Sequence, residues 1–305
     1  MSLFSYDGQV IDRLYTYDGQ EINISGGGGG IPSPNVISSG AEVCTLLHEG
    51  VYGQTTQGSC IDDDGNIYVI YPGRGYILQY NVNTKVATVH TGMFESNAYG
   101  SASSISYNPY TGYLYIAPNK ATGEVYVLNK STFALVDTKY VHDSDGNVFS
   151  CFNLAYDRRT QHFISMEFST GRMFVFDDDL VLVSQKTYDA THWLPVTQSM
   201  TTDGYYLYAS SAGITYNGVT GPMNGVYIFD MQGNYVTSVE FNCGDTELES
   251  VIYDWTTGLW YCSVNRPNEN NVYGAGPNIY FVNMKAYYTP AELEAAADVL
   301  NVSTT

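Results

Sequence analysis

Basic residues are scarce: 12 lysines and arginines stand against 31 aspartates and glutamates, for a net charge of −19. That balance argues against nucleic acid as a partner, because phosphate backbones are held by clustered Lys and Arg. Arg158-Arg159 is the longest basic run. An anionic membrane surface is disfavoured for the same reason, and an acidic polymer would need a local basic patch or a bridging cation. No apolar run approaches the roughly 20 residues that cross a bilayer, and no basic-plus-apolar leader opens the chain. The expectation is a protein that folds in a cytoplasm and does not insert in a membrane. Cys44, Cys60, Cys151, Cys243 and Cys262 form no Cys-x-x-Cys pair. Zinc is therefore not expected, and an odd count without framework spacing reads as reduced, buried thiols. The histidines, His48, His90, His142, His162 and His192, fall singly, without ligand spacing. No Ser-His-Asp or Gly-x-Ser-x-Gly arrangement is present. The glycine run at 26–30 is not a phosphate loop, since no strand precedes it and no Lys-Ser/Thr follows.

What the chain does contain is a repeat. From Gln57 to Gly92 four short runs of β-branched and aromatic residues are separated by Asp62-Asp63-Asp64-Gly65-Asn66, Pro72-Gly73-Arg74-Gly75 and Asn83-Thr84-Lys85. These residue types favour half-buried strands bounded by tight turns, and four strands in a meander make one blade of a β-propeller. Similar units begin near Gly100, Phe149, Val196 and Leu248, at roughly the 45–51-residue spacing of propeller blades. The last unit lacks its fourth strand, and the segment at 41–50 resembles the closing strands of the others. The prediction is an all-β, five-bladed propeller zipped shut by an N-terminal strand, which removes two exposed sheet edges. Tyrosine is abundant (29 residues). With Ser, Thr, Asn and Gly it reads as a recognition surface suited to carbohydrate or protein.

Around the propeller, expected at 36–285, lie smaller parts. Residues 1–24 hold two copies of an aromatic strand, an Asp-Gly turn and a short strand, with Phe4, Tyr6, Tyr15 and Tyr17 as the aromatic positions. Isolated hairpins are marginal in water, so this piece is expected to dock on a partner as an anchor. A Gly/Pro-rich linker follows at 25–35. At 286–305, Thr289-Pro290 opens a capped helix with Leu293, Ala296, Ala297 and Leu300 on one face.

Candidate ligand-binding residues come from the starts of the inner strands and from the loops. The inner strands offer a mostly neutral polar ring (Gln57, Ser59, Ser101, Ser103, Ser150, Asn153, Gln198, Ser199), with carboxylates only at Glu247 and Glu249. A glycoside hydrolase needs two carboxylates facing each other across the sugar. Glu247 and Glu249 are neighbours on one strand, and Glu167 is the remaining candidate partner. Two long segments, 213–224 and 265–276, occupy equivalent places and supply Tyr216, Asn217, Asn268, Asn270 and Tyr273 for stacking and amide hydrogen bonds. Tyr99, His192 and Trp193 precede inner strands near one mouth. No catalytic residue and no cofactor is assigned. Calcium is kept as an alternative at Asp62 and Asp64 or at Asp143 and Asp145, although neither turn carries the terminal Glu of a helix-loop-helix site, and a hairpin turn is the plainer reading.

The pattern Gln57-Gly58-x-x-Ile61-Asp62-x-x-Gly65-x-Ile67-Tyr68-Val69, repeated at the later inner strands, resembles the propeller heads of tailed-bacteriophage receptor-binding proteins from Gram-positive hosts. The opening Ser5-Tyr6-Asp7-Gly8 segment and its linker are similar to N-terminal pieces of phage tail and fibre proteins. The resemblance implies a virion protein whose head contacts cell-wall polymers such as teichoic acids, an anchor on other virion proteins, and a homo-oligomer, with a trimer favoured. The acidity of this chain suits a neutral polysaccharide better. Three readings follow: a non-cleaving glycan-binding head, a structural or decoration protein, and a propeller glycoside hydrolase.

Overall fold

The computed structural model describes residues 3–4, 10–11, 36–37, 44–49, 56–71, 75–91, 102–118, 122–167, 171–188, 197–211, 215–216, 219–220, 225–241, 247–267, 273–282 and 284–285. The chain divides into two units, Met1–Pro34 and Asn35–Thr305. In the first, Leu3–Phe4 pairs antiparallel with Val10–Ile11, Phe4 opposite Val10. Tyr6, Tyr15 and Tyr17 lie outside the described residues, as do Cys243 and the expected helix at 289–300.

The second unit is a five-bladed β-propeller, as the repeat predicts. Its blades are four-stranded antiparallel meanders. Blade one runs Ser59–Ile61, Asn66–Tyr71, Tyr76–Asn81 and Ala87–His90. Blade two is Ala102–Asn108, Tyr113–Pro118, Glu124–Asn129 and Leu135–Tyr140. Blade three is Ala155–Asp157, His162–Glu167, Arg172–Phe176 and Leu182–Thr187. Blade four is Thr197–Thr202, Tyr206–Ser211, Gly225–Asp230 and Tyr235–Glu240. Blade five takes Glu247–Tyr253, Trp260–Pro267 and Tyr273–Val282 from the C-terminal side. Its fourth strand is Cys44–Glu49, in register Val282↔Cys44 through Asn278↔Glu49. The ring is thus closed non-covalently by the strand expected at 41–50. Like the outer strands of the other blades, this strand is only half covered.

The hydrophobic core is five seams, one between each pair of neighbouring blades. Blades one and two meet through Tyr68, Ile70, Ile105, Leu114 and Phe133. Blades five and one meet through Ile252, Tyr261 and Ile279 against Ile67, Val69 and Tyr80. Each large side chain buried in this way contributes about 1.5–3 kcal/mol. Many tyrosines sit in these seams rather than on the surface expected for them; Tyr68, Tyr80, Tyr115, Tyr188 and Tyr208 are all at most 2 % exposed. The phenol allows this because its ring fills the seam while its hydroxyl finds an acceptor at the blade edge. Tyr68 donates to Asp62 at 2.8 Å and Tyr208 to Asp203 at 2.7 Å.

Those aspartates belong to a second repeat. Asp62, Asn108, Asp157, Asp203 and Asp254 stand at or just past the ends of the five inner strands, and all are buried. Each accepts the N–H two residues on, at 2.8–3.0 Å. One short side chain thus caps every turn from first to second strand. The aspartate-rich turns also do more than face water. Asp63 reaches Arg158 of blade three at 2.5 Å, and Asp179 of blade three holds Lys139 of blade two at 2.7 Å. Asp178 accepts from Asn108 at 2.9 Å. The turn at Asp177-Asp178-Asp179 therefore ties blade three to blade two.

Other departures have local causes. The inner strand of blade three, expected from Phe149, is regular only over Ala155–Asp157. Upstream of it the side-chain amide of Asn153 accepts from Met166 N at 2.9 Å and donates to Met166 O at 3.2 Å, replacing a rung of backbone ladder. The segment 265–276, read as a loop, continues a hairpin with Arg266 opposite Ala275 and Pro267 opposite Tyr273, through two bulges. Of the thiols, Cys151 and Cys262 are buried, whereas Cys44 and Cys60 are only partly covered.

Candidate functional site

Inner strands of neighbouring blades approach each other closely where they begin. Gly58 N donates to Ser103 O at 3.2 Å, and a Cβ on Gly58 would lie 2.6 Å from the Ser104 backbone. Only glycine permits that approach. At the next seam Ser104 Oγ accepts from Leu154 N at 3.2 Å and lies 3.4 Å from Leu154 O. Between blades four and five, Ser210 Oγ accepts from Ser199 N at 3.1 Å and lies 3.2 Å from Glu249 O. Polar side chains thus do at the ring's centre what backbone ladders do inside a blade.

The fifth seam carries the carboxyl groups. A β-bulge between Leu248 and Ser250 leaves Glu249 unpaired on its strand, and bulges of this kind re-aim a side chain. Glu249 is fully buried. One of its oxygens accepts from Gln57 Nε2 at 3.2 Å and the other accepts a short hydrogen bond from Asn265 Nδ2. Asn265 Oδ1 in turn accepts from Thr56 N at 3.0 Å and from Thr56 Oγ1 at 2.8 Å. Burial pushes the Glu249 carboxyl well above the usual carboxylate range, and the adjacent charge of Glu247 and the hydrogen bond they share push the same way. Burial also raises Glu247, while hydrogen bonds from Asn265 and Glu249 act against it. Both carboxyls are thus shifted toward the protonated form, the buried Glu249 more strongly than the partly exposed Glu247.

Further along the ring the centre changes character. Ser59, Ser250 and Ser263 form a buried hydroxyl cluster, with Ser263 Oγ 3.1 Å from Ser59 Oγ and 2.9 Å from Ser250 Oγ. Ile61, Ile105, Met200 and Ile252 follow, then Tyr107, Tyr253 and Trp255. Arg158 lies over Tyr107 and Trp255, 5.9 Å from each ring centre. Its ion pair with Asp63 carries it toward blade one at the turn end of the channel.

Of the residues expected from sequence, the fold brings Glu247 and Glu249 together with Gln57. Glu167 pairs with its cross-strand neighbour Arg172 at 2.6 Å. Tyr216 lies in a small hairpin, opposite Val219, and Tyr273 in the extended hairpin of blade five. Tyr99, His192, Trp193, Asn217, Asn268 and Asn270 lie outside the described residues. Asn265 and Thr56 are additions that sequence reasoning missed. Asn265 reads as the first residue of a loop, and only the ring places it against a strand start more than two hundred residues away. The Asp62 and Asp64 carboxylates both contact the Lys130 ammonium, at 3.1 and 2.9 Å. Asp143 accepts the N–H groups of Asp145 and Asn147 in a capped turn. Among the described residues no group of three or more His, Cys, Asp and Glu side chains is gathered as metal ligands.

No family model matches the chain. No curated protein sequence matches it either. Solved structures do. A glutaminyl cyclase from Myxococcus xanthus is similar over 84 % of this chain and 100 % of its own, with 11 % identity and a TM-score of 0.57. A calcium-binding protein, regucalcin, from Agrobacterium tumefaciens is similar over 85 % of this chain and 99 % of its own, with 10 % identity and a TM-score of 0.51. At such identities the likeness is one of fold, the propeller ring. Nothing in it links the chain to phage tail fibres.

Proposed function

We propose that the chain is a receptor-binding protein of a tailed-phage virion, of tail-fibre type, whose propeller head recognises a neutral host-surface glycan without cleaving it. The observation that supports this best is the state of the two carboxyl groups. Glu249 is buried with both oxygens engaged, so it positions rather than reacts. Glu247 beside it is only partly buried, and a carboxyl next to neutral amides and hydroxyls suits the paired hydroxyls of a sugar. The net charge disfavours a polyanionic wall polymer, and the sequence of residues 1–24 supports an anchor on other virion proteins in a homo-oligomer. The test is binding of the full chain to purified Gram-positive cell-wall polysaccharide freed of teichoic acid. Saturable binding, weakened about tenfold or more in Glu247→Gln, with no release of reducing sugar, is expected. No binding to wall polysaccharide from a panel of such hosts would remove the adhesin reading and leave a structural or decoration role.

An enzymatic reading is the second, because two neighbouring carboxyls with raised affinity for a proton also suit acid–base catalysis, and one structure of similar fold is a glutaminyl cyclase. Turnover in a glutaminyl-cyclase or glycosidase assay that is lost in Glu249→Gln would establish it.

A further inference from the structure

Glu247 starts the inner strand of blade five, and Asp254 follows its end. At that far, turn end, the seam between blades five and one opens into a cleft of about 350 Å3, within the range of small-molecule sites. Its walls are Leu47 of the closing strand, Leu259, Tyr261 and Phe281 of blade five, and Val82 of blade one. Lys85 stands at its edge. Asp63 and Asp254 also reach the cleft, but both are engaged. Asp63 is paired with Arg158, while Asp254 accepts from Thr256 N at 2.8 Å and from Thr257 Oγ1 at 2.5 Å.

Lys85 is set apart in two ways. Lys130, Lys139, Arg158 and Arg172 pair with carboxylates, and Arg159 and Lys186 donate to backbone carbonyls. Among the described residues the Lys85 ammonium has neither kind of partner. Its backbone also occupies a repeated position. The turn between third and fourth strands holds a left-handed residue at Lys85 (φ 61°), Phe133 (φ 56°) and Leu180 (φ 64°) in blades one, two and three. Phe133 is buried in the seam with blade one, against Tyr68, and Leu180 in the seam with blade two. Each side chain fills a gap beside the preceding blade. In blade one the corresponding residue is a lysine, and the gap is the cleft.

We infer that this cleft binds a small aromatic carboxylate, whose ring takes the place that Phe133 fills in the next seam and whose carboxylate meets the Lys85 ammonium. Arene against Tyr261 and Phe281 supplies the apolar contact, and one unengaged cation at the rim sets the charge of the ligand. The site lies at the opposite end of blade five from Glu247, so it is independent of the glycan-binding reading.

The test uses phenylacetate and its neutral isostere phenylacetamide, followed by isothermal titration and by perturbation of protein NMR signals. Phenylacetate is expected to saturate with a Kd of about 1 mM or below, and phenylacetamide to bind at least about tenfold more weakly. Lys85→Met should remove that preference. Lys85→Phe should fill the cleft as Phe133 fills its own seam, raise the melting temperature and abolish binding, whereas Glu247→Gln should bind phenylacetate as the wild type does. Absence of saturable binding by the wild type, equal binding of acid and amide, or binding that persists in a folded Lys85→Phe variant would each overturn the assignment.

Discussion

Single side chains in this protein are tuned by what surrounds them rather than by their type. Asp203 is a turn cap like its counterparts in the other blades, yet burial pushes its carboxyl up to about 6, and the charge of Asp157 adds to the rise. Hydrogen bonds from Tyr208 and from the Tyr205 and Tyr206 N–H groups pull the other way without cancelling burial. Asp157 is raised by burial as well. A carboxyl raised in the folded state holds its proton more tightly folded than unfolded. Stability from these groups therefore increases as pH falls from neutral through about 6, and the gain levels off near the ordinary carboxylate value of 3.8. Asp62, lowered by its hydrogen bonds from Asn66, Tyr68 and Lys130 against the effect of burial, acts in the opposite direction below that value. The melting temperature should peak between about pH 4 and 6. Asp203→Asn, which keeps the cap, should flatten the rise on acidification by about one proton's worth. A melt series across this range that falls steadily from neutral pH, or an unchanged slope in the variant, would contradict the assignment.

Strands carry the next level. The closing strand Cys44–Glu49 is the one element of blade five that comes from the other end of the sequence, and Leu47 on it packs into the seam between blades five and one. Without it, Tyr273–Val282 becomes a long exposed edge, a template for pairing with other chains. A chain starting at residue 35 should melt as the full chain does. A chain starting at residue 51 should lose more than about 10 °C in Tm, equivalent to roughly 3 kcal/mol for a domain of this size, and should aggregate. Circular dichroism melts with size-exclusion chromatography separate these outcomes, and equal stability of the two truncations would mean that the ring closes in another way. Bulges work at the same level: the single extra residue at Glu249 turns a strand position into a buried carboxyl held by Gln57 and Asn265.

Across the whole molecule the excess of 19 negative charges sets a background of self-repulsion. The inter-blade ion pairs oppose it, but those reaching Asp64 and Asp179 have one partner more than two-thirds exposed, and exposed pairs are worth only about 0–1 kcal/mol each. Repulsion should therefore dominate the salt response. Raising ionic strength from about 0.01 to about 0.15 M, which shortens the screening length from roughly 30 to 8 Å, should raise Tm by a few degrees. A fall in Tm over that range would show that the ion pairs between blades outweigh the repulsion.

The local alternation of apolar and turn residues was enough, by itself, to determine the blades. Runs such as Ile67-Tyr68-Val69-Ile70-Tyr71 admit little but a buried strand, and Asp-Gly-Asn and Asn-Pro-Tyr-Thr-Gly admit little but turns. The incomplete fifth unit and the strand-like segment at 41–50 implied closure, because an unpaired sheet edge is costly. What the sequence could not decide was anything that depends on which parts of the chain the ring places side by side. Asn265 meets Thr56 and Gln57 meets Glu249 only because blade five is seated against blade one. A bulge is invisible to a period of two, so Glu247 and Glu249 read as ordinary neighbours on one strand. Only the tertiary structure made them a coupled pair with raised carboxyls, because desolvation and hydrogen-bond geometry arise where strands distant in sequence converge.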